Sequence, residues 1–221
     1  MAQAAQRAAE VSGRDPREFT AESFRARAYP VMTAIVSEGF FASVVAVVEG
    51  MTEVGALWEV ADGLNLNWKR KNIVVIPAGG KPSIDRPVII FRGLKIPTYL
   101  VFDGDKSRQG TDKEARYATQ NAACLRLAGA DVVPFPPLTV SDSWACFEDD
   151  FEAYCRSVLG DADFEAYRQA VADAYGYERA SDALKNFDAV GDFIRRVYKG
   201  GKRLPALEDM ARRITGLSPV V

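Results

Sequence analysis

Four carboxylates, three of them next to a glycine, gather at the ends of two apolar runs. Glu49 and Glu53 close Ser43-Val-Val-Ala-Val-Val-Glu49-Gly50-Met-Thr52-Glu53, and Asp103 and Asp105 close Pro97-Thr-Tyr-Leu-Val-Phe-Asp103-Gly104-Asp105-Lys106. Each run is β-branched or aromatic, of strand length, and broken by Gly next to an acid. If the two strands are parallel neighbours, all four carboxylates meet at the sheet edge where open α/β folds place their ligands. Carboxylates gathered without as many cations are neutralised by a hard divalent ion, Mg²⁺ or Mn²⁺. Residues two apart on an extended chain share a side, so Asp103 and Asp105 are expected to face one pocket. The i, i+4 spacing of Glu49 and Glu53 joins a strand end to a first helical turn, and Gly50 permits the tight turn between them. Taken singly, Glu53 equally suits a helix N-terminus and Glu49 a solvated strand end. The second pair of acids turns them into a candidate site.

The chain has no histidine. That excludes a Ser-His-Asp triad, a Cys-His dyad and any His-ligated zinc. Acid/base chemistry is left to carboxylates, Lys, Tyr or metal-activated water. Gly79-Gly80-Lys81 ends another apolar run but lacks the earlier Gly and following Ser/Thr of a phosphate-binding Walker A loop, and no such loop occurs elsewhere.

A strand ending in Glu-Gly, with a second acid four residues after the Glu, then a strand ending in Asp-x-Asp, resembles the Toprim domain of topoisomerases, primases, recombination mediators and several nucleases. The form Val48-Glu49-Gly50-Met51-Thr52-Glu53 is most similar to the OLD (overcoming lysogenization defect) nucleases, in which a Toprim nuclease follows an ATPase. The resemblance covers about residues 40 to 107. It implies a metal-dependent DNA endonuclease with two divalent ions, one activating water and one at the leaving 3′-oxygen. Glu53 and Asp103 are the leading ligands, with Glu49 and Asp105 at the second position or acting as base. The family also carries a functional Lys near its C-terminus, matched by Lys202, with Lys199 as the alternative, and an acid after the last strand, matched by Glu152. DNA phosphates are expected to meet Lys81, Lys199, Arg195 and Arg196, and also Lys69–Lys71, Arg108 and Arg212–Arg213. The ATPase of such a protein is absent from this chain. Two alternatives stand beside this reading: a non-catalytic Toprim scaffold binding DNA or protein, and a topoisomerase- or primase-like module. Glu53, where primases place Asp, disfavours the primase.

The positioning elements follow from periodicity. Residues 1–18 are polar and Ala-rich and read as a frayed start. Residues 20–39 read as a helix capped by Thr20, with Phe24, Ala28, Val31 and Ile35 on one face. Strands are expected at 44–48, 72–76, 98–102 and 131–135, with helices near 52–62, 83–93 and 113–127 between them. This alternation predicts an α/β fold: a Toprim-like parallel sheet flanked by helices. After Pro134-Phe-Pro-Pro137 the chain reads as helical, near 147–159, 163–175, 178–197 and 204–215. The division is therefore a helical segment at 1–42, a catalytic core at 43–140 and a helical region at 141–221. That last region suits a dimer interface or a DNA clamp, so a homo-oligomer stays open.

At 221 residues and net charge −2, no global basic field draws nucleic acid, and local patches must serve. Cys124, Cys146 and Cys155 lack zinc-ribbon or disulfide spacing and read as buried small hydrophobes. With no apolar stretch of membrane-spanning length and no signal sequence, a cytoplasmic protein without membrane contact is expected.

Overall fold

The architecture comes from a computed structural model that describes residues 1–13, 15 and 19–217. In chain order the helices are α1 (Ala2–Ser12), α2 (Ala21–Ala28), α3 (Ala34–Glu38), α4 (Met51–Gly63), α5 (Asp85–Gly93), α6 (Glu114–Ala128), α7 (Phe151–Leu159), α8 (Asp161–Tyr175), α9 (Ala180–Ala183), α10 (Phe187–Lys199) and α11 (Pro205–Gly216). The strands are β1 (Val44–Val48), β2 (Ile73–Pro77), β3 (Thr98–Asp103), β4 (Thr139–Val140) and β5 (Trp144–Phe147). They form one sheet in the order β2-β1-β3-β5-β4. The first four in that order are mutually parallel and β4 is antiparallel to β5, so the sheet is mixed rather than wholly parallel.

Every residue of β1 is buried, as a central strand covered on both faces requires. One face carries Ala46, Val48, Tyr99, Val101, Ala145 and Phe147 beneath α4, α7, α8, α10 and α11. The other carries Val45, Val47, Leu100, Phe102 and Cys146 beneath α1, α2, α5 and α6. Residues 141–217 thus share the cover of one face with α4, and the helices before residue 42 share that of the other with α5 and α6.

Three sequence expectations give way. The start is not frayed: α1 buries Ala5, Ala8, Ala9 and Val11, whose helical spacing places small side chains close to the sheet's cover. The helix over 20–39 divides into α2 and α3, each with its own threonine cap, Thr20 and Thr33. Phe24 and Ala28 are buried as expected, but Ile35 is exposed and Val36 takes the inward position. The fourth parallel strand is not 131–135 but β5, because Pro134, Pro136 and Pro137 remove ladder donors from the earlier segment. β5 lies in the stretch expected to be helical, and its apolar run of four residues is too short for periodicity to separate strand from helix.

Candidate functional site

β1 and β3 are adjacent, so Glu49 and Asp103 leave the sheet side by side. Glu49 Oε1 accepts the Asp103 N–H at 3.0 Å, tying the two strand ends together where the ladder stops. Glu53 sits one turn into α4 and accepts the Gly50 N–H at 2.9 Å, satisfying one of the helix's orphan donors. Gly50 itself has φ −148°, a conformation open to any residue, so the turn does not require glycine there.

Gly104 is a different case. A Cβ on it would stand 2.4 Å from the Glu148 carbonyl oxygen and 2.7 Å from that of Phe147. Its N–H reaches the Phe147 carbonyl at 2.7 Å, and the next two amides reach the Asp149 and Glu148 carbonyls, so the loop after β3 is laced to the loop after β5. This closeness brings the acidic run 148–152 to the carboxylates. Asp150 caps α7, accepting the Ala153 N–H at 2.7 Å, and its charge repels Glu53, Asp103 and Glu152.

Burial dominates the electrostatics of these acids. Glu53 is 7% exposed, and burial pushes its carboxyl up to about 7, with Glu49 and Asp150 adding repulsion against the stabilising backbone amides. Asp103 is held well above the carboxylate range by burial, then by Glu49 and Glu53. Burial also raises Glu49, against the pull of Lys81. Asp103 Oδ1 is buried with no hydrogen-bond partner.

Asp105 does not join Asp103 through strand alternation, because the chain leaves the strand at Asp103 and Asp105 is left-handed, with φ 53°. What gathers the second acid is Lys81. Its ammonium bonds the Asp105 carboxylate and the Asp103 carbonyl and lies 3.8 Å from Glu49 Oε1. Burial alone would lower the Lys81 pKa, but Glu49 and Asp105 leave it raised. With its side chain 3% exposed, Lys81 presents no face to a DNA phosphate.

The remaining expected residues lie elsewhere. Glu152 starts α7 beside Asp150, but its carboxylate faces Arg168 at 3.5 Å. α10 packs along α4 in the same direction: Phe187 abuts Gly55, and the Tyr198 ring reaches Gly63. α4 rises about 15 Å from Glu53 to Gly63 at 1.5 Å per residue. Lys199 and Lys202 therefore sit at the opposite end of the sheet from the acids. Lys202 pairs there with Asp163 at 2.8 Å, so the structure does not bring it to the carboxylates. Arg195 pairs with Glu59 at 2.8 Å and Arg196 with Asp192 at 2.7 Å along the same helix. The three cysteines are buried and free, as read from sequence. Asp150 and Asn121 went unread: Asp150 lies within the acidic run around Glu152, whereas nothing in the sequence marks Asn121.

Residues 40–105 match the model of the overcoming lysogenization defect protein-like TOPRIM domain. This segment is an OLD-like Toprim domain. Both acidic motifs fall inside it, and at the family level the match supports a nuclease-type role. No curated protein matches the chain. Among solved structures, the C-terminal region of the Xanthomonas campestris pv. campestris OLD protein covers 80% of this chain and 94% of its own, at 19% identity and a TM-score of 0.48. The C-terminal region of the Burkholderia pseudomallei OLD protein covers 80% and 92%, at 18% identity and a TM-score of 0.40. At those values the likeness bears on no residue's role.

Toprim domains generally bind divalent metals, and the donor set here fits one. It is all hard oxygen, and the unpartnered Asp103 Oδ1 is buried among acids whose charges repel one another. The groups do not yet converge on a point, for among the described residues no three carboxyls form a finished ligand set. Also among the described residues, no helix is long and apolar enough to cross a membrane.

Proposed function

We propose that this chain is a metal-dependent DNA endonuclease whose centre is Glu49, Glu53, Asp103 and Asp105. The observation that carries the reading is the orphaned Asp103 Oδ1, buried between Glu49 and Glu53 in a Toprim segment. Glu53 and Asp103 would hold one divalent ion, with Glu49, Asp105 or Asp150 serving a second. Such ions supply charge neutralisation to the phosphodiester and make water nucleophilic at neutral pH. Glu49 orients Asp103 through its backbone amide, Glu53 is locked to the start of α4, and Gly104 keeps the β3 and β5 loops in contact.

Phosphate recognition belongs to the exposed cations at the same edge, Lys106, Arg108, Lys113 and Arg116. They line the approach to α6 and its first turn, and Arg108 and Arg116 flank the Tyr117 ring at 5.6 and 5.8 Å. Beside them a cleft of about 400 Å³ is lined by Lys106, Ser107, Asp149 and Tyr154. Contacts of this kind read backbone rather than bases, so cleavage with little sequence preference is expected.

A non-catalytic scaffold is the second reading, favoured by the absence, among the described residues, of a finished carboxylate ligand set. Supercoiled plasmid incubated with Mg²⁺, Mn²⁺ or EDTA separates the two. Metal-dependent nicking that Glu53→Ala and Asp103→Ala each reduce by about 10²-fold or more fits the nuclease. Intact plasmid in every metal, with DNA binding retained, supports the scaffold.

A further inference from the structure

Lys81 is built into the acidic edge more deliberately than a surface lysine. Gly79 (φ 78°) and Gly80 (φ 113°) turn the chain inward after β2, a path that side chains rarely permit. The Gly80 N–H is anchored to the Glu49 carbonyl at 2.9 Å. The ammonium then places its three donors on the Asp103 carbonyl, the Asp105 carboxylate and Asn121 Oδ1, the last at 2.9 Å. Asn121 is fully buried, and both its amide hydrogens are taken by the carbonyls of Gly104 at 2.7 Å and Pro134 at 2.8 Å. Its oxygen is thereby aimed at Lys81 and has no freedom to turn away. A buried ammonium is expensive unless fully paired, and here every donor is met.

The groups Lys81 engages, Asp105 and Glu49, are among those proposed to serve a divalent ion. From this overlap we infer that Lys81 is a positioning residue, an internal counter-cation oriented by Asn121. It holds the Asp103–Asp105 turn when no metal is present, and it limits how tightly metal binds by competing for the same carboxylates. The inference rests on the metal-centre reading and concerns a residue that would touch neither substrate nor the reacting atoms.

Lys81→Gln tests it, because Gln keeps a donor and removes the charge. Mn²⁺ affinity is measured by calorimetry and thermal midpoint by circular dichroism, with and without saturating Mn²⁺, on wild type, Lys81→Gln and Lys81→Met. The expected result is a roughly tenfold or greater tightening of Mn²⁺ binding in both variants, from the removed like charge. Their midpoints should fall without metal and recover with it. Variants that fold only in the presence of Mn²⁺ also support the inference. Unchanged or weaker Mn²⁺ binding in a folded variant overturns it, as does failure to fold at saturating Mn²⁺, since either makes Lys81 a structural pin. Wild type that binds no Mn²⁺ instead sinks the metal centre itself.

Discussion

At the residue scale the carboxylates are held in an environment that resists their charge, and in Glu53 the effect is large enough to read as a pH dependence. Its carboxyl titrates at about 7 in the folded chain against 4.5 ordinarily. Between those values the folded chain keeps a proton that the unfolded chain has lost. Its stabilising contribution is full below 4.5 and is lost as pH rises through about 7. Glu49 and Asp103 shift in the same direction. The metal-free protein should therefore melt at lower temperature as pH rises from about 5 to about 8, and Glu53→Gln should flatten that slope. A midpoint that climbs over this range would contradict the burial-driven shift. Lys202 offers the opposite expectation. Exposed, paired with Asp163 and far from the acids, it should tolerate Lys202→Ala with nicking kept within about twofold, as surface substitutions usually allow. A much larger loss of cleavage rate would mean that the C-terminal segment reaches the site by a motion absent from this arrangement. The gathering of Glu49 and Asp103 at adjoining strand ends was legible in the sequence, because strand ends beside glycine are local signals. Asp150, Asn121 and the burial of Lys81 were not, since each depends on a neighbour distant in sequence.

At the element scale the site depends on two loops held in contact. Gly104 has no room for a side chain, because the Glu148 and Phe147 carbonyls face it and the Gly104–Lys106 amides hang from the carbonyls of Phe147, Asp149 and Glu148. Gly104→Ala should destabilise the fold by ~1–3 kcal/mol or more, through overpacking against rigid backbone. It should weaken metal binding as well by moving Asp103 away from Glu49. Urea unfolding with parallel Mn²⁺ titration measures both, and a variant of native stability would show that the loops can part freely. Strand and helix positions within 44–128 followed from periodicity to within a residue or two. β5 escaped because four apolar residues carry no period, and what selects strand there is the unpaired edge of β3. Asp105 was legible as an acid beside the strand end, but its expected alternation with Asp103 failed where the chain left the strand.

At the scale of the whole molecule, the C-terminal helices form a wall of the same core as the sheet. Val190, Phe193, Ile194, Leu207, Met210 and Ile214 pack with the β1 and β3 side chains against α4. A chain ending at Tyr175 would expose that face and should fail to give a cooperative thermal transition. A truncated chain that melts cooperatively, with dispersed amide resonances, would show instead that the sheet stands without them. By itself the sequence determined the α/β alternation, the two acidic strand ends, the exclusion of histidine chemistry and the Toprim resemblance. Each of these is written in residue types and short spacings, where local sterics and hydrophobic period act. Only the tertiary structure decided that β5 pairs with β3, that Lys81 rather than Lys202 meets the carboxylates, and that residues 141–217 help cover one face of the sheet. Those outcomes depend on which buried surfaces meet across long loops, and no local propensity encodes that choice.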